Sequence, residues 1–190
     1  MGTPLSPSFY LKEDVVAIAK SLLGKALFTS FNGTLTGGII TETEAYRGPE
    51  DKASHAYQNR CTPRNKVMFE KGGISYVYMC YGIHALFNVV TNVESIPHAI
   101  LIRALYPTHG LDVMKQRRKK EKNLCLGPGS VCQALGITKE HSGLSLLEQP
   151  VWIEDRGIIV PEKKISCTPR IGIDYAGEDA SLPWRFIIDY

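Results

Sequence analysis

A chain of 190 residues, 44% of them hydrophobic, has the size of one domain and enough apolar content to bury one core. Its 22 basic and 19 acidic residues leave a net charge of +3, which suits a nucleic-acid partner but is equally common among enzymes of neutral substrates. No run of roughly twenty apolar residues occurs and the start, MGTPLSPSFYLKED, lacks a basic stretch followed by a long apolar one, so neither a membrane span nor a secretory signal is expected, and the cytoplasm is the expected compartment.

In chain order, residues 11–23 (LKEDVVAIAKSLL) place Val15, Val16, Ile18, Ala19, Leu22 and Leu23 on one helical face, with Gly24 as the stop. KALFTSFNGTLTGGIITETEAY then reads as a hairpin turning at Asn32-Gly33, a pair that accepts positive φ. Strict alternation along its second strand puts Ile40, Glu42 and Glu44 on one face and Ile39, Thr41 and Thr43 on the other. Residues 48–73, with Gly48, Pro49, Pro63, Gly72 and Gly73, read as a long irregular connection, and long loops inside a domain tend to be functional. ISYVYMCYGIHALFNVV is a second hairpin with Tyr81-Gly82 at its tip. AILIRALYP, GLDVMKQRRKK, SVCQALGI, VWIED, ISCTPRIGI and PWRFIID add strand, helix, helix and three strands. That order describes an antiparallel-rich α+β domain, not alternating βαβ units.

Several residue types bear on chemistry. The five cysteines (Cys61, Cys80, Cys125, Cys132, Cys167) form no C-x-x-C pair, and the five histidines show no H-x-x-x-H or H-E-x-x-H spacing. Reduced thiols and no metal are therefore expected. Gly-rich dinucleotide and phosphate fingerprints are missing too, so no cofactor is expected. Glu42 and Glu44, two apart on a strand, point one way; a reactive acid pair and the polar face of an edge strand both explain that spacing. Tyr81 stands out among the tyrosines, because a large ring at a hairpin tip has no core to join and is free to enter a partner. Arg103, inside an apolar strand, requires a carboxylate opposite it. The run KQRRKKEK, residues 115–122, reads as a solvated helix end or as a phosphate contact.

Taken together, ETEAYRGPEDKASH, TPRNKVMF, YVYMCYG with FN following, LIRALYP, GPGSVCQALGI and RIGIDYAGE resemble the alkyladenine (3-methyladenine) DNA glycosylase family, whose members excise damaged purines. The matches run in the family's order over roughly residues 10–187. The resemblance implies one glycosylase domain over residues 1–190, with a curved antiparallel-rich sheet, surrounding helices and a protruding β-hairpin. It also implies a monomer that binds double-stranded DNA containing damaged purines, without cofactor or membrane, in the bacterial cytoplasm or nucleoid.

By residue, Tyr81 matches the wedge that fills the space left by an extruded nucleotide. Tyr46 and His55 match rings on one side of the extruded base and Tyr78 the ring on the other, an arrangement that favours cationic alkylated purines. Asn88 matches a residue that crowds the guanine amino group. Glu44 matches a general base that activates water, Arg103 the basic group beside it, and the Ile171 carbonyl a further water contact. No nucleophilic amine falls in the matched pocket, which implies hydrolysis without strand cleavage. Arg64, Asn65, Lys66 and Ser130 are candidates for DNA-backbone or loop-bracing contacts, with helix capping the plainer role for Ser130. Departures from the pattern are His84 and Ala85 after the hairpin tip, Tyr175 in place of a histidine, and Asp179 in place of an aromatic. Two other classes compete: a silent nucleic-acid-binding module, and a nucleoside or glycoside hydrolase built on Glu42 and Glu44. Tyr81 separates them, because a wedge has no use on a free nucleoside.

Overall fold

Two long antiparallel strands, β3 (Thr34–Arg47) and β6 (His98–His109), form the spine of a ten-stranded sheet. The computed structural model describes residues 2–190. Outward from the spine on one side lie β5 (His84–Thr91) and β4 (Ser75–Cys80); on the other lie β2 (Ala26–Phe31), β8 (Val151–Asp155) and the two-residue β1 (Thr3–Pro4). The short β7 (Leu147–Glu148) adds to β8, while β10 (Arg185–Ile187) pairs with both β3 and β9 (Ser166–Thr168). All of these pairings are antiparallel, so the chain is an α+β fold. No helix among the described residues is long and apolar enough to cross a membrane.

Helix α2 (Val15–Ser21) starts later than the apolar pattern suggests, because the Asp14 carboxylate accepts from the amides of Val16 and Ala17 and fixes the first turn there. It follows α1 (Pro7–Tyr10) and precedes α3 (Leu111–Arg118) and α4 (Pro128–Leu135). Helices α2 and α4 cover one face of the sheet, where Ile18, Leu22, Phe87, Ile100, Ile102 and Leu135 join a single apolar cluster. Both hairpins form as expected. Asn32 and Gly33 have φ of 51° and 76°, and Tyr81 and Gly82 have φ of 50° and 70°, with the second turn closed by the Ile83 amide on the Cys80 carbonyl. Residues 48–73 contain only two short 3-10 turns, Tyr57–Asn59 and Lys66–Phe69.

Two expectations about the acidic strand are corrected. Strand β3 is not an edge: β6 flanks it throughout, with β2 against its first half and β10 against Glu42–Glu44. Nor does it alternate strictly. The register against β6 slips at Thr41, so one extra residue is accommodated there. Ile40 therefore shares the helix-covered core with Ala45, and the Thr43 hydroxyl donates to the Ala19 carbonyl of α2 on that same side. Glu42, Glu44 and Tyr46 are turned to the opposite face. Of the segment ISCTPRIGI only Ser166–Thr168 is strand; the rest leaves the sheet and folds back over the acid face.

Candidate active site

A cavity of about 810 Å³ opens on the face of the sheet away from α2. Its floor is a cross-strand row: Glu44 on β3 is opposite Leu101 on β6, Leu101 opposite Asn88 on β5, and Asn88 opposite Tyr76 on β4. Leu101, Asn88 and Tyr76 line the cavity directly. Its mouth is bounded by the β4–β5 hairpin tip, the start of α4 and the segment from Ile171 to Tyr175.

Glu44 has no exposed surface. Its Oε1 accepts the Ile171 amide at 2.8 Å and lies 3.4 Å from an Arg103 Nη, and its Oε2 accepts the Tyr46 hydroxyl at 2.8 Å. Arg103, Tyr46 and Ile171 all line the cavity, so together they roof the carboxylate. An ionised carboxyl offers about four acceptor positions. Two are filled by hydrogen bonds, which leaves capacity to hold a water. Ile171 was expected to contribute its carbonyl; the contact it makes with Glu44 is through its amide. Glu42 takes a different part. Its Oε1 accepts Nε of Arg103 at 2.8 Å and Nε of Arg185 at 2.6 Å. The carboxylate demanded by Arg103 is thus first Glu42, with Glu44 second.

The rings are arranged differently from the expected pairing of Tyr46 with His55. His55 packs edge-on against Tyr78, with centroids 4.6 Å apart and planes at 77°, which leaves no room for a base between them. His55 and Tyr78 therefore form one wall and Tyr46 stands apart from them. His55 Nδ1 lies 2.8 Å from the Tyr76 hydroxyl. Burial, and then the Arg64 cation, lower the imidazole pKa to about 4, so the ring is neutral at neutral pH. Burial also raises the Tyr76 hydroxyl to about 12 and pushes Tyr78 up, while Tyr46 is driven well above its ordinary value by burial and then by the Glu44 charge. All three remain phenols, able to donate. Arg64 stacks on Tyr78 at 4.9 Å.

Asn88 is buried, and its side-chain nitrogen donates to the carbonyls of Tyr76 and Leu86 at 3.1 and 3.4 Å. That orientation presents its oxygen as the free acceptor. Tyr81 is 91% exposed, with Ile83 beside it at 73%. Its positive φ is costly for a bulky residue and holds the ring away from the sheet.

The four candidate backbone-contact residues divide. Arg64 and Lys66 are exposed. Asn65 is not a surface contact: at 1% exposure, its oxygen accepts from the amide and hydroxyl of Thr62, and its nitrogen donates to the carbonyls of His55 and Arg60. It braces the loop that carries His55. Ser130 is not the cap of α4, which starts at Pro128 after Gly127 with no side-chain cap; it is the third residue of the helix, within its first turn, and lines the cavity. Of the basic run, Arg118 lines the cavity and Arg117 is held by the Ala134 carbonyl at 3.0 Å.

Sequence reasoning missed Arg185 and the Arg170–Asp51 pair. Arg170 donates to both Asp51 oxygens and to the Ala45 carbonyl, and its guanidinium lies 4.8 Å over the Tyr46 ring. Arg185 interrupts the apolar stretch LPWRFII, the same signal that marked Arg103, whereas Arg170 follows Ser-Cys-Thr-Pro and carries no such signal.

Comparison with known proteins identifies the family of the chain. The sequence model described as methylpurine-DNA glycosylase matches residues 8–190. The chain belongs to the methylpurine-DNA glycosylase family. Relatives provisionally named 3-methyladenine DNA glycosylases include one from Chlamydia felis (strain Fe/C-56), 53% identical over 189 residues, covering 97% of this chain and 96% of the relative. One from Chlamydia abortus (strain DSM 27085 / S26/3) is 52% identical, covering 97% of each chain. A third, from Bacillus cereus (strain AH820), is 45% identical over 95% of this chain and 93% of its own. The matched span, residues 8–190, contains every residue that lines the cavity.

Proposed function

We propose that the protein is a monofunctional DNA glycosylase of base-excision repair, acting as a monomer on double-stranded DNA in the bacterial cytoplasm. It extrudes an alkylated purine, or a deaminated or etheno one, and hydrolyses its N-glycosidic bond, leaving an abasic site. The observation that carries the reading is the enclosed Glu44 carboxylate, set beside Arg103 at the foot of an aromatic cavity whose rim bears an exposed tyrosine.

The steps follow from the residues. Tyr81 enters the stack as the target nucleotide leaves it, offsetting an unstacking cost of a few kcal/mol. The base lies between Tyr46 on one side and the His55–Tyr78 wall on the other, and a cationic alkylated ring gains attraction from the electron-rich faces. Asn88 crowds the position of a guanine amino group, so normal guanine is refused. Glu44 then takes a proton from a water that attacks the sugar on the face opposite the departing base, with Arg103 and the Ile171 carbonyl holding that water. A cationic base departs without an acid. Arg64, Lys66 and Ser130 contact the DNA backbone around the opening.

The test is single-turnover excision from a duplex with one hypoxanthine or ethenoadenine, then from methylated DNA, against undamaged DNA. Wild type is expected to release the damaged base and Glu44→Gln to bind the lesion duplex without releasing it. Activity retained by Glu44→Gln would reassign the base; silence of the wild type on every substrate would favour a binding module.

A further inference from the structure

We propose that Glu42 is a positioning residue for catalysis: it pins Arg103 by its Nε edge so that the guanidinium approaches Glu44 without saturating it. The inference rests on Glu44 being the general base. Neither carboxylate lines the cavity, but Glu44 lies directly beneath three groups that do, Arg103, Tyr46 and Ile171, whereas Glu42 reaches the cavity only through Arg103.

Arg103 lies near two carboxylates and engages them unequally. Its Nε donates to Glu42 Oε1 at 2.8 Å, whereas its Nη stands 3.4 Å from Glu44 Oε1 without forming a hydrogen bond. A guanidinium facing one free carboxylate would normally swing into a two-pronged pair with it. Such a pair would occupy the acceptor positions that Glu44 needs for a water. Glu42 prevents it by holding the other edge of the fork.

Glu42 is itself fixed. Arg185 on β10 donates to the same oxygen at 2.6 Å and to the Thr168 hydroxyl at 3.3 Å. Alternation along β3 turns Glu42 and Glu44 the same way, and the slip in register at Thr41 takes Ile40 off their face into the helix-covered core. The cluster then contains two carboxylates and two guanidiniums and is neutral. Around Glu44 stand Glu42 and the Tyr46 hydroxyl on its own strand, Arg103 on β6, Arg185 on β10, and Arg170, which lies against Tyr46 and is neutralised by Asp51.

Two substitutions separate geometry from charge. Glu42→Ala frees both arginines and lets Arg103 close on Glu44. Single-turnover excision is expected to fall roughly tenfold to a hundredfold, the scale for small misplacement of a catalytic group, while lesion-duplex binding stays at the wild-type level. Glu42→Gln keeps an oxygen for both Nε donors but removes one negative charge. Its rate loss is smaller, so the conservative variant restores most of the excision that Glu42→Ala loses.

Wild type, Glu44→Gln and both variants are compared in one assay, with far-UV circular dichroism and melting checked first. Wild type active, Glu44→Gln inactive and Glu42→Ala unimpaired would overturn the positioning role and leave the general base intact. If Glu42→Ala does not fold, Glu42→Gln decides: a rate equal to wild type, or binding lost in step with rate, also overturns it. A wild type that releases no base sinks the underlying reading instead.

Discussion

Replacing Arg170 with methionine tests how the segment over Glu44 is held in place. Both side chains of the Arg170–Asp51 pair are fully buried. Removing the guanidinium deletes its bonds to both Asp51 oxygens, to the Ala45 carbonyl at 2.9 Å and to the Asp179 carbonyl at 3.2 Å. The abandoned carboxylate keeps the amides of Ala53 at 2.9 Å and Arg47 at 3.3 Å, which solvate it only in part. Breaking a buried pair from one side costs roughly 3–5 kcal/mol. At about 2–4 °C per kcal/mol for a domain of this size, the melting midpoint should fall by about 6–20 °C. Pairing Arg170→Met with Asp51→Asn removes the stranded charge, so the double variant should be more stable than the two single costs predict when added. A double-mutant cycle in urea measures this, with a coupling of roughly 1–3 kcal/mol expected. Because Ile171 is the next residue and its amide rests on Glu44, excision should also slow at temperatures where Arg170→Met is still folded. A cost under about 1 kcal/mol, or a cycle that adds without coupling, would refute the idea that this pair anchors the roof of the site.

Two further outcomes follow from other parts of the site. Tyr81→Gly relieves a positive φ while deleting the exposed ring, so the melting midpoint should hold or rise while affinity for a lesion duplex, read by fluorescence anisotropy, drops roughly tenfold to a hundredfold, the worth of one stacked base; unchanged affinity removes the wedge role. For His55, the folded pKa of about 4 lies below the unfolded value of 6.5, so between these values the unfolded chain binds the proton first. Its contribution to stability is therefore present above pH 6.5 and lost as pH falls toward 4, on the order of 2 kcal/mol after allowing for partial exposure. Urea melts across that window should show a flatter slope in His55→Gln, with the part due to the depressed His98 and His141 remaining; an unchanged slope would mean that the ring is not buried neutral.

What the sequence revealed was whatever local chemistry dictates. Asn32-Gly33 announced the first turn, because few other residues accept its φ angles, and Gly82 announced the second, where Tyr81 takes its positive φ at a cost. Arg103 announced a nearby carboxylate, because an arginine in an apolar strand needs one. Spacing alone could not tell Glu42 from Glu44; only the family resemblance singled out Glu44, and the pairing of Glu42 with Arg103 and Arg185 was not legible. Alternation within one strand cannot show a slip that arises from how that strand meets its neighbour at Thr41. The wall made by His55 and Tyr78 was equally hidden, since it depends on how a loop fixed by Asn65 folds against a strand about twenty residues on. Arg185, inside LPWRFII, carried the same signal as Arg103 and was within reach of the same reasoning; Arg170, after Ser-Cys-Thr-Pro, was not.

The row Glu44–Leu101–Asn88–Tyr76 gives the cavity a built-in ruler. Neighbouring strands lie about 4.8 Å apart, so Glu44 and Asn88 stand two rungs, about 10 Å, from one another, and backbone pairing fixes that interval. Length changes in the loops cannot stretch it. Under the proposed function, a lineage can exchange the side chain at the far rung and alter which purines are refused, while the group that prepares the water keeps its place. Substrate preference is then free to drift on a fixed chemical station.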